Sequence, residues 1–227
     1  MTSSRGAAFE PIRVLIVDDH PVVRDSLSRL IEAEADMTVV GVAGTADETY
    51  SAFRKFNPDI VILDIALADA HGLDLLQNLL AEDPDPGAVV FSMYDERTYA
   101  ERAIRAGARG YVMKSAPTRS ILDAIRTTHR GDYYLSPPVL SRILRSLSKS
   151  DVAAQDRPFA NLTDRELEVY QLLGQGLDLP AIARQLSLGR KTVETYRRRI
   201  KEKLELDSMN ELLQHAIQWT HAQSRQR

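Results

Sequence analysis

The sequence predicts a chain in two parts: a doubly wound α/β domain built on a five-stranded parallel sheet, then a smaller all-α domain of four helices. Three observations predict it. Val- and Ile-rich runs at 12–17, 37–43, 60–64, 88–92 and 110–113 alternate with helical spacing at 22–33, 46–56, 73–82, 97–106 and 118–130, the pattern of strand–helix units in a parallel sheet. After residue 134 the strand signals stop and only helical periodicity remains. The charge also changes sign: residues 1–150 carry 17 Lys+Arg against 21 Asp+Glu, whereas 159–227 carry 11 against 9, so the two parts suit different partners.

The totals exclude several classes. A chain of 227 residues suits one or two domains with real cores. It has no cysteine, so disulfides and cysteine-based metal sites or nucleophiles are out, which fits a cytoplasmic protein. Residues 1–11 hold one arginine and no apolar run; they read as a disordered N-terminus, not a signal peptide. No stretch approaches the roughly 18 apolar residues of a membrane span.

The first strand, in "IRVLIVDDHP", runs straight into Asp18 and Asp19. Adjacent carboxylates repel and resist burial. The third strand, "DIVILD", ends in Asp64, the fourth, "AVVFS", in Ser92, and the fifth, "GYVMK", in Lys114. The functional crevice of an open parallel sheet lies beyond the carboxyl ends of its strands. Three carboxylates, a hydroxyl and an ammonium therefore converge on one edge. Such acids suit a hard divalent cation, and Mg²⁺ commonly pairs one or two carboxylates with a phosphate. Ser92 and Lys114 would face the incoming oxyanion. Alone, Asp18 and Asp19 read as a solvated strand end and Asp64 as a turn cap; together with the other strand-end groups they read as a site. His20, beside Pro21, reads as a surface turn residue, and none of the five histidines stands with acids at metal-ligand spacing. Met37, Met93, Met113 and Met209 read as core filler.

The chain divides on this reading into residues 12–134, a helix and linker over 135–158, a helical domain over 159–222 and a tail, 223–227. A short helix is predicted over 138–147, and 149–158 is a charged linker without apolar periodicity. Thr163 with Glu166 forms a capping box opening a helix that Gly174 and Gly176 can stop. Helices follow over 179–189, 190–204 and 209–219. The stretch 190–203 holds seven Lys+Arg against two Glu, and two short helices joined tightly, the second strongly basic, make a helix-turn-helix. Val193, Tyr196, Ile200 and Leu204 share one face of that second helix. Trp219 suits core and interface equally.

The motifs "VDDHP", "DIVILDIALADAHG", "VVFSMY", "GARGYVMKS" and "LTDRELEV…LPAIARQLSLGRKTVETYRRRIKEKL", in this order and spacing, resemble the bacterial two-component response regulators of the NarL/FixJ class over about residues 12–222. The resemblance implies a flavodoxin-like receiver followed by a LuxR-type helix-turn-helix output domain, a DNA-binding regulator and not an enzyme. It implies Asp64 as phosphoryl acceptor, Asp18 and Asp19 with Asp64 as Mg²⁺ ligands, Ser92 and Lys114 on the phosphoryl group, and Tyr111 as a switch aromatic. The implied partners are a sensor histidine kinase (or a small acyl or amido phosphate), double-stranded DNA with paired half-sites, and a second copy of the chain on activation, with no membrane. On the output domain it places Lys191, Glu194, Thr195 and Arg198 toward DNA, with Arg190, Arg197 and Arg199 flanking on phosphates. Glu194 could read a cytosine amino group, but pairing with Arg198 is favoured. Leu212, Leu213, Ala216 and Ile217 of the last helix would form the dimer surface.

The sequence also departs from that family. Ala68 stands where a loop proline is usual, which predicts a looser loop. Ala66 and Tyr94 occupy the positions that tune acyl-phosphate hydrolysis, and a bulky Tyr94 would screen water. Pro180 suits the first turn of its helix. Two other readings stand: a DNA-binding regulator whose receiver-like module dimerises independently of phosphorylation, and a metal-dependent phosphatase with an Asp nucleophile, which leaves the helix-turn-helix unexplained.

Overall fold

A computed structural model describes residues 10–148, 159 and 161–224. The predicted linker at 149–158 and residues 1–9 lie outside the described residues, as do 225–227. The chain divides into two compact units, with the boundary between Ser141 and Arg142.

The first unit alternates as the hydrophobic runs require: β1 (Ile12–Val17), α1 (Pro21–Glu32), β2 (Met37–Ala43), α2 (Ala46–Phe56), β3 (Ile60–Leu63), α3 (Gly72–Glu82), β4 (Gly87–Ser92), α4 (Glu96–Arg105), β5 (Gly110–Met113) and α5 (Arg119–His129). The sheet order is β2-β1-β3-β4-β5, and every pair is parallel. The order reverses between β1 and β3. Their carboxyl ends therefore border the topological switch point, where no crossover connection fills the crevice. Alternation along the strands divides the core. Val14, Ile16, Ile60, Ile62, Val89 and Val112 pack with Leu27 and Ile31 of α1 and Ile121, Leu122 and Ile125 of α5. Leu15, Val17, Val61 and Leu63 point the other way and are equally buried. Met37 is buried, but Met93 is 67% exposed; it follows Ser92 into the loop and is not core filler.

Helix α6 (Pro137–Ser148) spans the boundary between the units, so the division falls inside the segment predicted as linker helix. The second unit holds α7 (Asp164–Gly174), α8 (Leu179–Gln185), α9 (Arg190–Lys203) and α10 (Met209–Ser224). The capping box forms as predicted, with Glu166 N–H donating to Thr163 Oγ1 at 3.3 Å and Thr163 N–H to Glu166 Oε2 at 2.7 Å. Lys203 Nζ reaches the same Glu166 oxygen at 2.6 Å and ties the end of α9 to the start of α7. Helix α8 stops at Gln185, short of the predicted 189. Ser187 adopts φ +52°, Leu188 N–H returns to the Ala183 carbonyl and Ser187 N–H to that of Arg184. This is a Schellman stop with serine in the usual glycine position. Gly189 instead starts α9, as its N-cap.

Helix α10 packs on α7 through Gly174, where a β-carbon would lie 2.5 Å from the Ala216 carbonyl oxygen. Leu212 and Ala216 are buried on that face, whereas Leu213 is 40% exposed and Ile217 half-buried. Only part of the predicted four-residue surface therefore faces outward. Helical periodicity turns positions 212 and 216 to the same side, and α7 occupies that side. Trp219 packs against Phe159 and Tyr170, with centroids 4.9 and 5.6 Å away, and so belongs mainly to this unit's own core.

Candidate functional site

The strand ends bring Asp18, Asp19, Asp64, Ser92 and Lys114 to the switch point. Asp18 and Asp64 are buried, at 1% and 3% exposure. Lys114 Nζ lies 2.6 Å from Asp18 Oδ2 and 2.6 Å from Asp64 Oδ2. Lys114 is placed by β5, whose register continues past Met113: Lys114 N–H donates to the Ser92 carbonyl at 2.7 Å. Asp64 N–H likewise donates to the Val17 carbonyl at 2.9 Å, which locks the end of β3 beside the end of β1. One ammonium thus pairs with two of the three carboxylates, Asp18 and Asp64, and leaves Asp19 outside the pair.

The titration of these groups reflects that imbalance. Burial pushes the Asp64 carboxyl above its ordinary value; Lys114 and Ser92 oppose this but do not overcome burial and the Asp18 charge. Burial would lower Lys114, but Asp64 and Asp18 outweigh it and hold the ammonium above its ordinary value. Tyr111 is wholly buried. Burial and the charges of Asp64, Asp95 and Glu96 push its phenol well up, so it is a neutral hydrogen-bond donor. Its hydroxyl donates to the Tyr94 main-chain oxygen at 2.9 Å. Tyr94 in turn stacks on Tyr99 of α4 at 4.8 Å.

Four neighbours were not foreseen. His20 Nδ1 lies 2.6 Å from Asp19 Oδ1, and the ligand-type atoms of Asp18, Asp19, His20 and Asp64 all fall within 4.8 Å of one another. His20 is the exposed turn residue it was read as, but the reading that no histidine stands with acids at metal-ligand spacing is corrected here. The run Asp18-Asp19-His20 carried the signal, because consecutive residues at a strand end share one neighbourhood. Arg24, one turn into α1, donates to the Asp18 carbonyl. Gly72 admits the start of α3 against the Asp64 main chain. Asp69 Oδ2 accepts the Ala46 N–H at 2.9 Å, and Ala66 pairs with His71, so the loop lacking its proline is fastened in two places.

On the second unit, α9 exposes Arg190, Lys191, Glu194, Arg198 and Arg199, with Thr195 half-buried and bonded to the Lys191 carbonyl. Lys191, Thr192, Thr195, Tyr196 and Arg199 line an open groove of about 310 Å³. Val193 and Ile200 are fully buried, and Tyr196 and Leu204 partly so. Arg197 falls between Val193 and Ile200 on the inner side; it is half-buried, and its Nε is buried without a hydrogen-bond partner. It does not stand with the outward basic residues. Glu194 pairs with Arg190 at 3.5 Å, and Arg198 with Glu202 at 3.9 Å, so the expected Glu194–Arg198 pair does not form. Among the described residues no helix is long and apolar enough to cross a membrane.

A flavodoxin-like sheet with an acid–lysine switch point, joined to a helix-turn-helix with a basic second helix, defines a receiver coupled to a DNA-binding output domain. Residues 14–126 match the response regulator receiver domain, and residues 160–216 match the bacterial regulatory proteins of the luxR family. The oxygen regulatory protein NreC of Staphylococcus carnosus is 32% identical over 210 residues, covering 91% of this chain and 97% of that protein. A LuxR-family two-component response regulator from Aurantimonas sp. SI85-9A1 is 32% identical with a TM-score of 0.56, over 62% of this chain and all of that one. The RcsB response regulator of Salmonella typhimurium, 21% identical with a TM-score of 0.65 over 92% of this chain and 98% of that one, shares the fold. The chain belongs to the two-component response regulators with a LuxR-type DNA-binding domain: it is a transcriptional regulator, not an enzyme.

Proposed function

We propose that the chain is switched by phosphorylation of Asp64, within a receiver over residues 12–134, and binds promoter DNA through the domain over residues 159–222. The observation that carries this reading is Lys114 Nζ, 2.6 Å from both Asp18 and Asp64 at the switch point. A lysine held there by two carboxylates is placed to hold a phosphoryl group on one of them.

The donor set fits Mg²⁺. The ligands are hard carboxylate oxygens, two of them buried, and the one ammonium pairs with two of the three acids and leaves Asp19 outside the pair. Asp18, Asp19 and Asp64 would hold the ion. When bound, it supplies charge neutralisation for the phosphoryl oxygens. A carboxylate oxygen of Asp64 attacks the phosphorus of a phosphohistidine on a sensor kinase; the new O–P bond forms as the P–N bond breaks and the imidazole leaves. Lys114 releases the Asp64 oxygen and pairs with the transferred group. Ser92 donates to a phosphoryl oxygen and draws its loop inward. Tyr111, bonded to the Tyr94 carbonyl two residues beyond Ser92, carries that movement to the start of α4. The altered receiver favours a homodimer that engages paired half-sites on double-stranded DNA. Lys191, Arg198, Arg199 and Arg190 supply phosphate contacts, Thr195 and Glu194 face the groove, and the outward Leu213 and Ile217 of α10 contribute to the dimer surface. Cytoplasmic localisation follows from a DNA target.

Intact mass after incubation with acetyl phosphate tests the reading. An adduct of one phosphoryl group is expected in wild type with Mg²⁺, and none in Asp64→Asn or after chelation. An unmodified wild-type chain, tested also with phosphoramidate, that still binds DNA would favour a receiver-like module acting without phosphorylation.

A further inference from the structure

We infer that Glu96 is the link through which the receiver acts on helix α6: its carboxylate holds the start of that helix, and the movement of the Ser92 loop that follows phosphorylation withdraws it. This rests on the reading of Asp64 as phosphoryl acceptor.

Helix α6 has no capping-box glutamate of its own. Leu140 N–H donates to the Ser136 carbonyl at 3.0 Å, so Ser136 is the residue from which the helix starts. The next two residues, Pro137 and Pro138, have no N–H. The third, where a capping box would place Glu or Gln, is Val139, and it is buried. Glu96 supplies the acceptor from 40 residues away: Ser136 N–H donates to its Oε1 at 2.7 Å. Glu166 makes the same bond, at the same length, to Thr163 N–H at the start of α7. There the acceptor belongs to the helix it caps. At α6 it belongs to the first turn of α4, so the bond joins two helices.

The segment before α6 is held on two different footings. Tyr134 lies along β5, the edge strand: its N–H donates to the Arg109 carbonyl at 2.8 Å, and its carbonyl accepts the Tyr111 N–H at 3.0 Å. β5 pairs on its other side with β4, so this end is fixed to the sheet. Glu96 instead follows the loop that leaves β4 at Ser92, whose Tyr94 carbonyl accepts the Tyr111 hydroxyl at 2.9 Å. When Ser92 draws that loop inward, β5 keeps Tyr134 while Glu96 shifts, and the bond to Ser136 is the one that breaks. A displacement of about 1 Å carries it past the ordinary N–H···O limit of about 3.2 Å.

Amide hydrogen exchange of the full chain, before and after treatment with acetyl phosphate and Mg²⁺, tests the inference. In wild type, exchange at Ser136 and Leu140 is expected to quicken about tenfold on modification, while Tyr134 stays protected. In Glu96→Ala it should be fast in both states, although the Asp64 adduct forms to the same extent. Glu96→Gln, which keeps an acceptor oxygen, should retain most of the protection in the unmodified chain. On a DNA fragment selected by the modified wild type, the gain in affinity on phosphorylation should shrink about fivefold or more in Glu96→Ala. Modified wild type with unchanged exchange at Ser136 and Leu140 overturns the inference and leaves phosphorylation of Asp64 standing. So does a Glu96→Ala chain that gains DNA affinity as fully as wild type. A wild-type chain that takes no adduct overturns the phosphorylation reading, and the inference with it.

Discussion

Gly72 lies so close to the main chain of Asp64 that a β-carbon on it would stand 2.1 Å from the Asp64 carbonyl oxygen. Its own N–H donates to the Ile65 carbonyl at 2.8 Å, so the first turn of α3 presses on the carboxyl end of β3. Gly72→Ala must move either the helix or Asp64. A loss of about 1–3 kcal/mol is expected in denaturant unfolding, the usual cost of overpacking. Acyl-phosphate modification of the protein that remains folded should slow as well, which Gly176→Ala, in the output domain, should not cause.

Asp64→Asn should stabilise the chain at neutral pH. A carboxyl whose folded pKa lies above its unfolded value stabilises the fold when protonated; that contribution is complete below the unfolded pKa and is lost as pH rises through the folded one. Burial raises Asp64 in this way, so at pH 7 wild type carries a buried charge whose cost its partners only partly offset. Asparagine removes that cost at every pH. Denaturant unfolding at pH 7 should show a gain of about 0.5–2 kcal/mol, the common return for relieving a functional site. The gain should vanish on lowering the pH to about 4, near the ordinary Asp value.

Mg²⁺ should stabilise wild type by binding only the folded chain. At a hundredfold excess over its Kd the gain is about 2.7 kcal/mol. Thermal melts with and without Mg²⁺ should show the rise in wild type and little of it in Asp19→Asn. Equal shifts in both would place the bound ion elsewhere.

Asp69→Ala should loosen the loop after Asp64. The lost partner is the exposed Ala46 N–H at the start of α2, so the cost should be small, about 0.5–1 kcal/mol. Hydrogen exchange should quicken at Ala46 and across residues 66–70 before any change in the strands. The proline absent at Ala68 would otherwise restrict the chain there, and Asp69 supplies a tether in its place.

Lys191→Ala and Arg197→Ala should separate on DNA. Lys191 is exposed beside the groove of α9, whereas Arg197 is half-buried between Val193 and Ile200. A lysine on a phosphate contributes about 0.9 to the salt slope of binding. Lys191→Ala should reduce that slope and the affinity together. Arg197→Ala should leave the slope unchanged and lower the stability of the output domain instead.

Much of this was legible from local pattern. The strands of the receiver alternate with its helices where the apolar runs place them, and the five strand-end groups meet because every strand of a parallel sheet ends on the same edge. The capping box of α7 was legible because it involves residues three apart. What stayed hidden depended on neighbours distant in sequence or on a torsion that sequence does not announce. The stop of α8 turns on Ser187 at φ +52°, where glycine would have signalled it. The inward turn of Leu212 and Ala216 depends on α7 lying alongside, although α8 and α9 separate α7 from α10 in the chain.

The sequence by itself determined the class of protein, the order of its elements and the residues at the switch point, because hydrophobic period and strand polarity are local properties. Only the tertiary structure decided that Lys114 bridges Asp18 and Asp64, that His20 turns back over the acids, that Asp69 fastens the loop and that Arg197 faces inward. Each of those depends on side-chain direction and on distances between segments, which packing sets and periodicity does not.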